Sequence, residues 1–381
     1  MEFLLSEEQT LIRDMARDFA KNELEPNAGR WDQERHFPTD VIRKMAELGL
    51  SGVNVPEDLG GGAAGPVALS LAITEIAKGC ASCAVTMSVT NMVCEVIEKF
   101  GTEAQRRAYC PRITSGEYVA GAFCLSEAGA GSDPGGMKTT AVKRGDKWIL
   151  NGEKMWISAG EFAGVHVVWA RTGGKGAGGV SCFLVEGGTP GLEIGRQEDK
   201  MGLRASHTVS VLFEDCEIPE SALLGEENQG FRVAMMALDG GRIGIASQAL
   251  GIGLAAQEAA TAYAKERVQF GQPIAGFQAI QWMLADDETE LEAARLLTMR
   301  AAWMKEKGVP FTREASMAKT YATEAAWRTC DNALQIHGGY GYVKEFAVER
   351  HYRDIRVTRI YEGTNQVQRI VIARNVLGQG R

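Results

Sequence analysis

Apolar positions recur with a helical period through roughly the first 120 residues. Ser6-Glu7-Glu8-Gln9 spells a capping box ahead of Leu11, Ile12, Met15 and Phe19, which share one helical face. Pro38-Thr39-Asp40 opens a second helix, Val41 to Leu48, which Gly49 closes. After the glycine- and proline-marked loop Val55-Pro56-Glu57-Asp58-Leu59-Gly60, helical patterns fill about 66–79, 84–99 and 102–113. The period changes near Tyr118. Tyr118 to Leu125 reads as a buried strand, and Lys147 to Asn151 with Lys154 to Ser158 reads as a hairpin about Asn151-Gly152. Val165 to Ala170, Val180 to Val185 and Thr208 to Phe213 add further β-rich runs. From Asn228 the helical period returns in three long stretches, about 230–267, 277–307 and 312–337, with the short connections of a helix bundle.

These patterns predict a multidomain α and β fold. An N-terminal helical domain spans 1–120, a middle β-barrel or sandwich domain 121–228, and a C-terminal helix bundle 229–381. Two spellings suggest nucleotide sites, but their context excludes both. Gly251-Ile252-Gly253 lies inside a helical pattern with no strand before it, and Gly173-Gly174-Lys175-Gly176 lacks the Lys-Ser/Thr ending of a phosphate loop.

The 381 residues suffice for several cores, and a formal charge of −8 excludes nucleic acid as the main partner. No apolar run reaches the length of a membrane span, so no membrane insertion is expected. The first residues lack the basic and apolar regions of a secretion signal, and the eight scattered cysteines suit a reducing compartment. A cytoplasmic location is therefore expected, or the mitochondrial matrix for a mature eukaryotic chain. Cys80 and Cys83 form a CxxC without a second pair or a nearby histidine, so they read as buried small hydrophobes and no metal site is expected.

Candidate chemistry gathers where glycine or polar residues interrupt the pattern. Glu362 follows a strand-like Ile360-Tyr361 and precedes Gly363 and the helix-capping Thr364. A carboxylate in such a place can act as a base, and a first-turn acid that favours the helix dipole fits the same spelling. The loop Leu125 to Asp133 offers small residues and the hydroxyls of Ser126 and Ser132. Trp156 and Ser158 share a strand face suited to a flat aromatic ligand and one hydrogen bond at its edge. Arg267 beside Phe270-Gly271-Gln272-Pro273 supplies a cation at a helix end, and Gln335 to Tyr342 supplies a glycine-rich helix terminus. Ordinary loops and core residues account for each of these taken singly.

In order and spacing the segments resemble the acyl-CoA dehydrogenase family over essentially the whole chain. The likeness is carried by Phe123 to Asp133, Asn151 to Ser158, Lys200-Met201-Gly202-Leu203-Arg204, Leu238 to Gly244, Glu266 to Gln278, Gln335 to Tyr342 and Tyr361 to Ile370. The resemblance implies a helical domain, a β-domain and a four-helix bundle, assembled as a homotetramer. It implies FAD held by Phe123, Cys124, Leu125, Ser126, Gly131 and Ser132 together with Trp156, Ile157 and Ser158, with Ser158 bonded to flavin N5. Arg267, Phe270, Gln278, Gln335, Ile336, His337, Gly338 and Gly339 would reach the FAD of a neighbouring subunit, and Thr364, Asn365 and Gln366 would complete the site. Ala128 and Asn365 stand where many members carry proline and serine.

The reaction this implies is α,β-desaturation of an acyl-CoA: Glu362 takes the α-proton, the β-hydride goes to FAD, and electrons pass to an electron-transfer flavoprotein. Such a base needs an apolar pocket and a stabilised enolate. A second family arrangement places the base on a bundle helix, but in Leu238-Asp239-Gly240-Gly241-Arg242 that position is Gly241. Ser132, Asp239, Arg242 and Gly363 are the expected substrate contacts, with Met87, Ser88 and Asn91 near the pocket floor. Segments such as Gly240 to Ser247 and Gly79-Cys80-Ala81-Ser82 look like short straight-chain and short branched-chain members. An oxygen-reactive oxidase or flavin monooxygenase on the same scaffold, and a non-catalytic acyl-CoA-binding homologue, are the alternatives.

Overall fold

The computed structural model describes residues 4–379. Helices α1 (Glu7–Phe19), α2 (Glu25–Glu34), α3 (Thr39–Glu47), α4 (Gly65–Gly79), α5 (Ala81–Phe100) and α6 (Glu103–Thr114) come first. Their starts follow local chemistry. Ser6 and Thr102 each accept from the backbone N–H three residues on, and Gln9 and Gln105 return the bond to the cap. The helix expected at Val41 to Leu48 is α3, with Gly49 at φ +77 just beyond it.

Strands β1 (Ala120–Cys124), β2 (Thr140–Arg144), β3 (Lys147–Ser158), β4 (Ala163–Arg171), β5 (Val180–Glu186), β6 (Leu192–Gln197) and β7 (Thr208–Pro219) follow. They pair in the order β1-β4-β2-β3-β7-β6, with β5 also on β4. β1–β4 is parallel and most of the other ladders are antiparallel. This corrects the expected barrel alone: among the described residues the strands form one mixed sheet whose end strands do not pair. Alternation along β4 explains its two faces. Val165, Val167 and Trp169 join the cluster shared with the helices, whereas Val168 and Ala170 join a second core built from the other strands.

The hairpin expected about Asn151-Gly152 is also corrected, because those two residues lie within the continuous strand β3. The turn comes earlier, at Gly145 (φ +64), between β2 and β3. Asn151 and Gly152 serve a bulge against β7 instead. The Asn151 amide donates to Asp215 Oδ1 at 3.1 Å, and its oxygen accepts from the Asp215 N–H at 2.8 Å. A Cβ at Gly152 would come within 2.7 Å of Thr139 Cα, so this is a glycine of close approach.

The third block holds α7 (Gly230–Glu266), a two-residue ribbon β8 (Val268–Gln269) with β9 (Gln272–Pro273), α8 (Gln278–Glu306), α9 (Thr312–His337), α10 (Val348–Ile355) and α11 (Asn365–Val376). Gly251 and Gly253 are crossing points of α7. A Cβ on the first would run into the Thr74 carbonyl of α4, and on the second would meet Leu291 of α8 and Ala326 of α9. Helix α5 is buried on nearly every side, so β1, α4 and α7 all pack on it. That common wall brings the loops after β1 and the middle of α7 to the same helix.

Candidate active site

Glu362 sits in the link between α10 and α11. Ile360 and Tyr361, read as strand-like, are instead a turn and a bend that follow a short 3-10 turn, Arg356–Arg359. The 3-10 turn stays coiled because Thr358 Oγ1 donates to the Ile355 carbonyl at 2.7 Å and the Val357 carbonyl accepts from Ile360 at 2.8 Å. Glu362 then adopts φ +55 and Gly363 φ +85. The left-handed region costs a non-glycine residue about 1 kcal/mol or more, so the turn is held by its surroundings. Thr364 caps α11 by accepting from the Val367 N–H at 3.2 Å.

The turn aims the Glu362 carboxyl at α7. A Cβ on Gly241 would overlap Glu362 Oε2 and lie 3.0 Å from both its Cδ and Met92 Sδ of α5. Among the described residues Oε2 is buried without a hydrogen-bond partner. Burial pushes the carboxyl up to about 7, against the pull of the Arg242 and Lys319 charges. Arg242 is 5 % exposed and is hydrogen-bonded to Asp239 one helical turn away; Asp239 also accepts from Thr312. Gly363, another expected substrate contact, accepts at its carbonyl from Lys319 Nζ at 2.9 Å. Asn365 is 2 % exposed. Its side chain is engaged by Lys319, Thr323 and Glu324, and Gln366 is exposed at the start of α11.

Gly241 and Met92 also line a pocket with Leu69, Ile73, Ser88, Gly244 and the Glu95–Lys305 ion pair, whose Nζ–Oε2 distance is 2.7 Å. The expected floor is corrected here. Ser88, Met92 and Glu95 form one stripe of α5, whereas Met87 and Asn91 lie outside the lining. Asn91 is 1 % exposed and saturated, donating to the Leu50 and Met87 carbonyls and accepting from the Val53 N–H. Glycine at 241 is thus a steric requirement of the acid's seat. Replacing Gly241 by Ala should preserve the helix and displace the carboxyl. Misplacement on that scale costs on the order of 10²-fold, to be read as the rate of flavin reduction by substrate in anaerobic stopped flow.

The residues expected after β1 and at the end of β3 meet one another. The Met155 N–H donates to the Ser126 carbonyl at 2.9 Å, and Phe123 packs on Trp169 with ring centroids 4.3 Å apart. Trp156, at φ +66, is 56 % exposed, and Ser132 and Gly131 are exposed beyond it. Ser126 and Ser158 are half-buried, while Cys124, Leu125 and Ile157 face the core. A buried pair ties the two segments: Lys154 Nζ donates to Glu127 Oε1 at 2.8 Å and to the Leu125 carbonyl at 3.2 Å. Glu127 accepts from the Lys138 and Thr139 N–H groups as well.

A third group lies at the far end of α7 and α9. Arg267, Ile336, His337, Gly338 and Gly339 line one pocket with Tyr263 and Tyr340. The Tyr263 and His337 rings stack at 4.2 Å, and the Arg267 guanidinium lies 5.3 Å from the Tyr340 ring centroid. Gln335 and Gln278 are exposed nearby in sequence, and Phe270 is 95 % exposed against Phe277. Among the described residues no hydrogen bond or ion pair joins this group to the other two.

Sequence reasoning missed Lys319, Gln368, Lys154 and Glu127. Lys319 had a visible signal: one lysine on the alanine face Ala315, Ala318, Ala322, Ala326.

Three family models match in order: acyl-CoA dehydrogenase N-terminal domain at residues 6–117, middle domain at 122–216 and C-terminal domain at 228–377. The chain is 50 % identical over 375 residues to the mitochondrial short-chain specific acyl-CoA dehydrogenase of Bos taurus, covering 98 % of this chain and 91 % of that protein. It is 46 % identical over 380 residues to the acryloyl-CoA reductase (NADH) of Anaerotignum propionicum, covering 99 % and 96 %. A chain solved in work on the electron transferring flavoprotein of Acidaminococcus fermentans superposes with a TM-score of 0.98 at 44 % identity, covering 99 % and 100 %. The chain belongs to the acyl-CoA dehydrogenase family.

Proposed function

We propose that this protein desaturates a short, straight acyl-CoA between its α- and β-carbons, with Glu362 as the base. The observation that carries the reading is the unpartnered, buried Oε2 of Glu362 seated against Gly241, a residue that also lines a pocket. A carboxylate in water is too weak a base for a thioester α-proton, and a buried one near neutrality is matched to the task. Family membership brings FAD, and the residues present fit it. Trp156 offers an open aromatic face beside the hydroxyls of Ser126, Ser132 and Ser158, and Arg267 with Gly338 and Gly339 offers an anion site in a second pocket. When bound, FAD supplies the hydride acceptor. The chain's own part is to orient the acyl group, exclude water around Glu362 and hold the base on the α-carbon side. Arg242 and Asp239 are assigned to substrate orientation.

Two features favour a short acyl chain. The pocket lining includes Ser70 and the Glu95–Lys305 pair, against which added methylenes gain little. The similar proteins include one named short-chain specific and one named for acryloyl-CoA. An electron-transfer flavoprotein as acceptor is supported by the solved relative from work on such a protein, and a tetramer would bring the third group to a neighbour's cofactor. The test is anaerobic bleaching of the flavin by propionyl-, butyryl-, isobutyryl- and octanoyl-CoA, with an electron-transfer flavoprotein as second acceptor. Butyryl- or propionyl-CoA should lead octanoyl-CoA by about tenfold or more, as a few methylenes at about 1–3 kcal/mol each allow. No bleaching by any acyl-CoA would overturn the reading, and rapid peroxide release would favour the oxidase alternative.

A further inference from the structure

The backbone beneath Glu362 is clamped from two sides. Glu362 and Gly363 are consecutive left-handed residues, and both of their carbonyls are held. Lys319 Nζ, on α9, donates to the Gly363 carbonyl at 2.9 Å and to Asn365 Oδ1 at 2.9 Å. Gln368 Nε2, on the first turns of α11, donates to the Glu362 carbonyl at 3.1 Å and the Gly363 carbonyl at 2.9 Å. Lys319 is fully buried in the small-residue face of α9, where packing alone would not select an ammonium.

Two cations act on the Glu362 carboxyl, Arg242 of α7 and Lys319 of α9. From α7, Arg242 is tied to Asp239. From α9, Glu324 is tied to Arg359 at 2.8 Å and lies 3.8 Å from Arg369 of α11. Tyr361, beside Glu362, donates to Gln248 of α7. Neither Lys319 nor Glu362 has an ion-pair partner of its own within 4.0 Å among the described residues.

We propose that Lys319 is a positioning residue for Glu362: it fixes the left-handed turn that aims the carboxyl at Gly241, and its charge keeps that carboxyl ionisable in a dry site. The role in catalysis rests on Glu362 being the base; the role in positioning and titration does not. The groups respond to burial in opposite directions. Burial pushes Lys319 down to about 7 and Glu362 up to about 7, and each draws the other back toward its charged form. Two such groups titrate together, so removing the cation should move the acid.

The test reads the Glu362 carboxylic-acid band by difference infrared spectroscopy of the flavin-loaded protein between pH 5 and 10. The band is assigned by its loss in Glu362→Gln. In the parent it should disappear around pH 7. In Lys319→Met and in Lys319→Gln, which keeps a donor but no charge, the midpoint should rise by about one pH unit or more. Lys319→Arg, which keeps the charge, should stay within about half a unit of the parent. Flavin absorbance and thermal unfolding identify folded variants, and Lys319→Gln decides the matter if Lys319→Met does not fold. A midpoint unchanged in both neutral variants overturns the proposal, as does a Lys319→Arg midpoint shifted as far as that of Lys319→Met. With substrate, the pH profile of flavin reduction should slide upward by the same amount; a uniform drop at every pH would mark a merely structural role and also overturn it. If no acyl-CoA reduces the parent flavin, the proposed reaction fails while the infrared titration still decides the role of Lys319.

Discussion

Glu362→Gln is expected to leave a folded, flavin-containing, acyl-CoA-binding protein whose flavin is reduced by substrate on the order of 10⁴-fold more slowly, at the upper end of what a general base contributes. The upper end applies because the alternative seat for a base on α7 is Gly241, so nothing replaces the lost carboxylate. Anaerobic single-turnover reduction is the measurement, and turnover within a few-fold of the parent would refute the assignment. In the parent, reduction should gain rate as pH rises through about 7, where the carboxyl loses its proton. The same shift has a stability signature. A carboxyl near 4.3 when unfolded and about 7 when folded binds its proton more tightly in the native state. Its stabilising contribution is therefore present below about pH 4 and is lost as pH rises through about 7. Glu362→Gln removes that slope, so the variant should unfold at a higher temperature than the parent above pH 7 and lose this advantage in acid.

The fold was legible wherever one pattern ran long enough to average out exceptions. The three long stretches after Asn228 appear as α7, α8 and α9 with ends shifted by at most a residue or so, because periodic burial over 26 to 37 residues leaves little freedom. Asn151-Gly152 misled for a local reason. That dipeptide favours a turn, but long-range pairing of β3 with β7 and the close approach of Thr139 used the same glycine for a bulge. The closed barrel failed because pairing between strands distant in sequence is not written in either strand. At the site, Glu362 and Gly241 could be recognised by position. The physical link between them, a Cβ that would occupy the carboxyl's place, required coordinates. Of the expected floor residues Ser88 lines the pocket, while Met87 and Asn91 lie one position away from the lining residues Ser88 and Met92, and on a helix one position is a rotation of about 100°. Lys319 and Lys154 are the deeper omissions. Buried lysines are rare, and sequence gives their partners only when the partners are near in the chain.

Lys154→Met is expected to destabilise the protein by about 3–5 kcal/mol, the cost of removing one partner of a buried ion pair. Lys154 is fully buried in β3, and its ammonium binds Glu127 and the Leu125 carbonyl. Burial alone would push Glu127 upward, but Lys154 and the donors at Lys138 and Thr139 overcome it and hold the carboxyl at about 2. Without the cation, Glu127 must either take a proton or remain charged in the core. Both outcomes loosen the segment from Leu125 to Thr139, which carries Ser126 and Ser132, so flavin should dissociate more readily as well. The double change Glu127→Gln with Lys154→Met should recover much of the loss. The amide oxygen introduced by Glu127→Gln can still accept from one of the two backbone N–H groups, which bond different carboxylate oxygens, and no buried charge would remain. The sign of the pH dependence separates this from plain repacking. Glu127 is depressed in the folded state, so its contribution is full above about pH 4.3 and is lost as pH falls toward about 2. The deficit of Lys154→Met relative to the parent should therefore be largest near neutrality and shrink in acid. A deficit that is independent of pH, or a double variant no better than the single one, would show that the pair does not organise this loop.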